Sequence, residues 1–248
     1  MGFSFRFILI VFTLTLFINP VWGDELEEGF DAFNNGDYKL ALDKFKRLAE
    51  QGDALAQFAI YEGKFRFQAE LRDELAVGEA HEWLEEAAKN GYAPAQYELG
   101  VYFEQGYNGS EWWNLNYEKA LKLFNASAKQ GYVEAELKLG EIHMMGLEEL
   151  PSFPIDYQKA IKWFKLAAEK GNFFAQYNLG IIFKGDFGNH KDLVQSYRWF
   201  YMAELRSPVS DHENSLNVKK EMTPSQIKEA EELVEDFIRE CLRHRYGS

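Results

Sequence analysis

Five histidines (His81, His143, His190, His212 and His244) and one cysteine, Cys241, are the residues of this 248-residue chain most suited to holding a metal ion. No two histidines stand three or four positions apart, and neither Cys-x-x-Cys nor His-Glu-x-x-His occurs, so no helical face presents a ligand pair. Each histidine therefore reads as a surface or internally satisfied group. Ser225 and Lys228 match Ser-x-x-Lys, the serine motif of penicillin-recognising enzymes, but neither Ser-Asp-Asn nor Lys-Thr-Gly follows. The same residues lie in Thr223-Pro224-Ser225-Gln226, a capping box with proline at the first helical position, which explains Ser225 without catalysis. The glycines end helices and form no phosphate loop. No catalytic residue, cofactor or metal site is expected.

Binding chemistry is more visible. Trp112 and Trp113 stand together in the stretch after Gly106, flanked by Tyr107 and Leu115, outside any helical stripe. Large aromatics bury much area with few rotors to freeze, so Tyr107, Trp112, Trp113 and Leu115 are the candidate partner-binding residues. The alternative is that the tryptophans tuck back and pin their own loop. Seven carboxylates between Glu70 and Glu86 read as a solvated helix face. The formal net charge of −13, or −14 without residues 1–23 whose only charge is Arg6, repels phosphate backbones and disfavours nucleic-acid partners.

These residues must be positioned by helices. Asp156–Gly185 shows one unit: Tyr157, Ala160, Ile161, Phe164, Ala167 and Ala168 form an apolar stripe at helical spacing, with Asp156 at the cap and Gly171 at the stop. Ala175, Leu179, Gly180 and Phe183 mark a second helix, and Ala160, Ala168, Ala175 and Gly180 are expected to let the two approach closely. The unit recurs. Gly52, Gly91, Gly131 and Gly171 are separated by 39, 40 and 40 residues, and Ala41, Ala80, Ala120 and Ala160 keep the same intervals. Such a period specifies stacked helical hairpins, each unable to bury its apolar face alone.

The expected fold is all-α, a superhelical solenoid of antiparallel hairpins at about 37–63, 77–106, 116–146, 156–185 and, in part, 192–222. Asp24–Asn34 precedes it as the second half of a hairpin, and residues 223–248 supply a capping helix and tail. Tyr61 stands where the later second helices carry Gly100, Gly140 and Gly180 and predicts a wider first interface, while the Met144-Met145 pair is expected to fill core gaps. Residues 1–23 carry one basic residue, an apolar run from Phe7 to Ile18, Pro20, and Val21 and Gly23 before Asp24. That is the form of a cleavable secretory signal, too short in its apolar run for the roughly 20 residues of a spanning helix. Asn108 and Asn125 match the glycosylation acceptor pattern, which matters only in a eukaryotic host.

The stretches GDYKLALDKFKRLAEQGDALAQF, KALKLFNASAKQGYVEAELKLG and KAIKWFKLAAEKGNFFAQYNLG resemble the Sel-one-like repeat family, relatives of the tetratricopeptide repeat. The resemblance covers roughly Asp24–Leu205. It implies an α/α superhelix that assembles other proteins, with many bacterial members exported to the periplasm or beyond the cell. Departures are Tyr61, Ser196 at the usual alanine, and lengthened connectors. Cysteine-rich secreted members have been linked to β-lactam binding, but this chain lacks their paired cysteines. The expected function is an exported protein-interaction scaffold of the bacterial envelope, with a secreted factor acting on host cells or an envelope glycan- or β-lactam-binding enzyme as the alternatives.

N-terminal sequencing of the exported protein should begin at Asp24. An intact N-terminus recovered in the membrane fraction would overturn the signal reading.

Overall fold

A computed structural model describes residues 20–66, 76–106, 115–147, 153–185, 187, 190–205 and 213–246. Among them are twelve helices and no strand. They run α1 (Pro20–Asn34), α2 (Tyr38–Glu50), α3 (Ala54–Arg66), α4 (Val77–Lys89), α5 (Ala93–Gln105), α6 (Tyr117–Lys129), α7 (Val133–Met145), α8 (Tyr157–Glu169), α9 (Phe173–Lys184), α10 (Leu193–Glu204), α11 (Glu213–Lys220) and α12 (Pro224–Tyr246). The chain divides into two compact units, Met1–Ala95 and Gln96–Ser248. The signal-like residues before Pro20 lie outside the described part, and α1 begins four residues ahead of Asp24.

Each hairpin starts and stops as its sequence requires. Asp37, Asn116, Asp156 and Asp192 accept the backbone N–H three residues on, at 2.9–3.1 Å, which satisfies one of the donors that a helix start leaves open. Between the two helices of a hairpin the chain reverses through a residue at positive φ, 92° at Gly52 and 88° at Gly171, where any side chain would be strained.

The stack is joined by an aromatic ring on a glycine. In the first unit Phe45 of α2 lies on Gly29 of α1; in the second, Phe124, Phe164 and Phe200 lie on Gly100, Gly140 and Gly180 of the helix before. A methyl group on Gly140 would sit 2.5 Å from the Phe164 ring, well inside van der Waals contact. Phe124 and Phe164 are wholly buried, and each contributes on the order of 1.5–3 kcal/mol of apolar transfer. The repeated glycine thus serves the junction between successive hairpins. Ala160, Ala168 and Ala175, also fully buried, line the core that α8 and α9 share.

Two departures from the repeat find their reasons here. Tyr61 takes the glycine's place on α3, but Leu84 takes the phenylalanine's place on α4, and both are buried. Ser196, at the alanine position of α10, is fully buried and donates its hydroxyl to the Gly180 carbonyl at 2.8 Å, so the extra oxygen is satisfied.

A polar rung crosses the α3–α4, α5–α6 and α7–α8 junctions. Gln57, Gln96, Glu136 and Gln176 share one position of the second helices and are all buried. Gln57 and Gln176 donate to Ala49 and Ala168, carbonyls that end the first helix of their own hairpin, each at 3.0 Å. From the next hairpin, Asn90 donates to Gln57 and Gln130 to Gln96, both at 2.9 Å. In the third repeat the amides are exchanged for charge: Lys170 reaches back to Glu136 at 2.5 Å and to the Gly131 carbonyl at 2.8 Å. Lys170 is therefore committed to the preceding hairpin, beyond the dipole role its position at a helix end suggests.

The last helices close the second unit. Glu204 at the end of α10 accepts from the Asn214 and Ser215 N–H groups and the Ser215 hydroxyl, capping α11 from outside. Thr223 and Gln226 form the expected capping box of α12. Ala230 and Val234 of that helix are buried, and the Arg198 guanidinium of α10 lies over Trp199 and over Phe237 of α12, 4.7 and 5.7 Å from the ring centres. Of the methionine pair, Met144 packs into the α8–α9 core, whereas Met145 is 65% exposed and fills nothing. Met145 is the last residue of α7, which Gly146 ends.

Gly140→Ala should destabilise the protein by about 1–3 kcal/mol through overpacking. Adding Phe164→Leu, which copies the Tyr61 and Leu84 exchange, should give a double variant more stable than the sum of the two losses by about 1 kcal/mol. Urea unfolding of the four proteins measures this coupling; strictly additive losses would show that the ring and the glycine do not act as a pair.

Candidate functional site: the connector edge

The second helix of one hairpin reaches the first helix of the next through connectors, and the described connectors of the second unit close on one shared hydrogen bond. Asn116 donates its backbone N–H to the Phe103 carbonyl, Asp156 to that of His143, and Asp192 to that of Phe183, all at 2.7 Å. Nine residues lie between Gly106 and Asn116 and between Gly146 and Asp156, but only six between Gly185 and Asp192. Whatever their length, the connectors start and finish at the same place on the hairpin. In a stack of antiparallel hairpins these bases share one edge.

Apolar side chains stand at these bases. Leu115 is 52% exposed and sits on Gly106, whose positive φ of 59° turns the chain out of α5. Ile155 is 53% exposed and sits in the same way on Gly146. Met145 and Phe187 are exposed beside them. Under the strip, Lys119 lies over the Phe103 ring at 5.0 Å and Lys165 over Phe183 at 5.9 Å, while Phe153 packs on His143 with ring centres 4.7 Å apart. The Tyr157 ring of α8 lies 6.3 Å from Phe187 and 6.4 Å from His190.

Of the four residues singled out from the sequence, Tyr107, Trp112 and Trp113 lie outside the described residues. Leu115 stands at the connector base, exposed. Sequence reasoning passed over Ile155, Met145 and Phe187. A signal was present, because Ile155 follows Leu115 by the repeat length of 40 and precedes a helix cap in the same way. Ser225 is exposed in the first turn of α12, and Lys228 pairs with Glu232 at 3.7 Å. Asn125 is held within α6, its amide donating to the Leu121 carbonyl at 2.7 Å. In the acidic stretch, Glu79 pairs with Lys46 and Glu86 with Lys89, Glu82 is exposed, and Glu85 acts electrostatically on His81; its earlier carboxylates lie outside the described residues. Among the described residues no cluster of His, Cys, Asp and Glu fits a metal ion, and no helix is long and apolar enough to cross a membrane.

His143 is a buried histidine at this edge. Its buried Nδ1 has no hydrogen-bond partner among the described residues, and its pKa is lowered, first by burial and next by Lys159, against the opposing pull of Asp156. A histidine with a depressed folded pKa favours folding when neutral, so its contribution is complete above the unfolded value of about 6.5 and is lost as pH falls through the lower folded value. Phe103 and Phe183 occupy the same repeat position. His143→Phe should therefore fold, and its melting temperature should fall less than that of the parent as pH is lowered from about 7 to 5. Parallel curves for the two proteins in thermal melts would remove His143 from the acid response.

The Sel1 repeat family model matches residues 77–92, 93–132, 133–172 and 174–206, more than half of the chain. No curated protein matches it. Among solved structures, a Sel1 repeat protein from Oxalobacter formigenes superposes with a TM-score of 0.61 at 24% identity, over 73% of this chain and 70% of that one. A protective antigen of uropathogenic Escherichia coli with an SLR fold gives 0.48 at 24% identity, over 92% of this chain and 56% of its own. An immunity protein from Pseudomonas aeruginosa gives 0.48 at 21%, over 74% and 67%. The matched segments 93–132 and 133–172 each open at a second helix and end just past the following first helix, the pair joined by the ring-on-glycine contact. Helical hairpins in a 40-residue register, joined in this way and recognised over four segments, place the chain in the Sel1 repeat family.

Proposed function

We propose that this Sel1 repeat protein is an exported, non-catalytic adaptor of the bacterial cell envelope that holds a partner protein on its connector edge. The family fold is generally a protein-interaction scaffold, which is the general ground for the reading. The observation that carries it further is the exposure of Leu115, Met145, Ile155 and Phe187 at the bases of the connectors. Apolar side chains held on a rigid edge lose little freedom on binding, and the connectors differ from one another where the hairpins do not. Trp112 and Trp113 belong to the connector that ends at Leu115, and are proposed as its anchors. Export rests on residues 1–23.

The test is capture of a partner from envelope extracts with the parent protein and with Trp112→Ala/Trp113→Ala. The double variant should bind the captured partner more weakly by on the order of 2 kcal/mol, about thirtyfold, with an unchanged melting temperature. A loss of roughly 3–5 kcal/mol of folding stability with binding retained would show instead that the tryptophans pin their own connector.

A further inference from the structure

A cavity of about 290 Å³ opens between α9, α10 and α11, in the second unit. Its apolar walls are Tyr177, Ile181 and Phe200, with the Tyr177 ring set edge-on to Phe200 at 5.5 Å. Its polar lining is Lys184, Asn214 and Asn217, and no carboxylate is among the described residues that line it, although Glu204 accepts from the Asn214 backbone N–H. Asn217 accepts a hydrogen bond from Lys220 at 2.9 Å, which brings a second ammonium group to the rim. Phe187, already exposed on the connector edge, completes the wall. The cavity lies at the lower end of small-molecule pocket sizes, suited to one large side chain.

The repeat supplies its own comparison. The position of Ile181 is held by Glu62, Val101 and Glu141 in the earlier hairpins, and that of Lys184 by Glu104 and Met144. Around Tyr97, which matches Tyr177, burial and the carboxylates of Glu98, Glu134, Glu141 and Glu104 push the hydroxyl up to about 12. The same place is acidic in the earlier hairpin and carries lysine here, although the chain as a whole has a net charge of −13. A buried apolar floor, two amides and cations at the mouth favour an apolar group flanked by negative charge.

We infer that this cavity takes a single aromatic side chain from an acidic segment of a partner protein, its main chain meeting Asn214 and Asn217 and its carboxylates facing Lys184. The inference deepens the adaptor reading by giving the chemistry of what one site holds. The test needs no partner. The ¹⁵N-labelled protein is titrated with the heptapeptide Gly-Ser-Asp-Phe-Asp-Ser-Gly, and separately with versions carrying Lys for both Asp or Ala for Phe. The first peptide should shift amide resonances of α9 and α11 at millimolar concentration or below, and the other two should bind at least about tenfold more weakly. Lys184→Met and Ile181→Glu, each bringing in a residue the repeat already uses at that position, should keep the parent's melting behaviour and lose binding about tenfold or more. No shift in α9 and α11 at about 5 mM of the first peptide, equal binding of the lysine peptide, or undiminished binding by Lys184→Met overturns the inference. Failure of envelope capture with peptide binding intact counts against the adaptor reading alone; capture that survives Lys184→Met while the peptide fails counts against this cavity alone.

Discussion

Everything in the second unit that repeats does so because a phenylalanine of each first helix lies on a glycine of the helix before it. The contact leaves no room for a methyl group, so it fixes how near two hairpins come and at which turn they meet. At the α5–α6 and α7–α8 junctions a buried polar pair, Gln96 with Gln130 and Glu136 with Lys170, penalises sliding as well, since a shift of one turn would leave these groups without partners in a dry environment. Close packing and hydrogen bonding therefore specify one register together. A single hairpin has neither half of this arrangement complete, which is why a lone unit cannot stand by itself and a row of them can.

Much of this was legible in the sequence. Period, caps, stops and apolar stripe are local signals, and they gave the helices and the array because each depends on residues a few positions apart. What the period did not give was which helix each small residue faces. Gly180 looks like a contact within its own hairpin until Phe200 is seen on it. Tyr61 looks like a defect until Leu84 is seen at the matching position 23 residues on. The first is a pairing across a junction and the second an exchange at both positions of one, and a separation set by connector length hides both from any short window. At the connector edge the aromatic residues of one loop drew attention by type, while Ile155 and Met145 are ordinary residues made notable only by exposure.

The exchange of amides for charge in the third repeat shows how tolerant the rung is and where its limit lies. Glu136 is only 2% exposed, and one of its oxygens has no hydrogen-bond partner among the described residues. Lys170 remains partly in water, so the pair is asymmetric: one partner bears the desolvation and the other keeps its hydration. Neutral amides avoid that asymmetry. The charged pair sits at the junction of the second unit where the donor also bonds the turn carbonyl of the earlier hairpin, and that second bond offsets part of what the buried carboxylate loses.

The hydrogen bond that closes each connector has a consequence for how such a protein changes over time. Because the chain is brought back to the same carbonyl whether six or nine residues lie between the glycine and the cap, length added between those points is not transmitted to the helices. The entropic cost of a longer loop grows only logarithmically, about 0.6 kcal/mol for each doubling. Insertions and deletions can therefore accumulate at these three sites as nearly neutral events, and a lineage can try new binding sequences there without renegotiating its core. The same insulation makes the connectors natural points for grafting foreign epitopes into the scaffold.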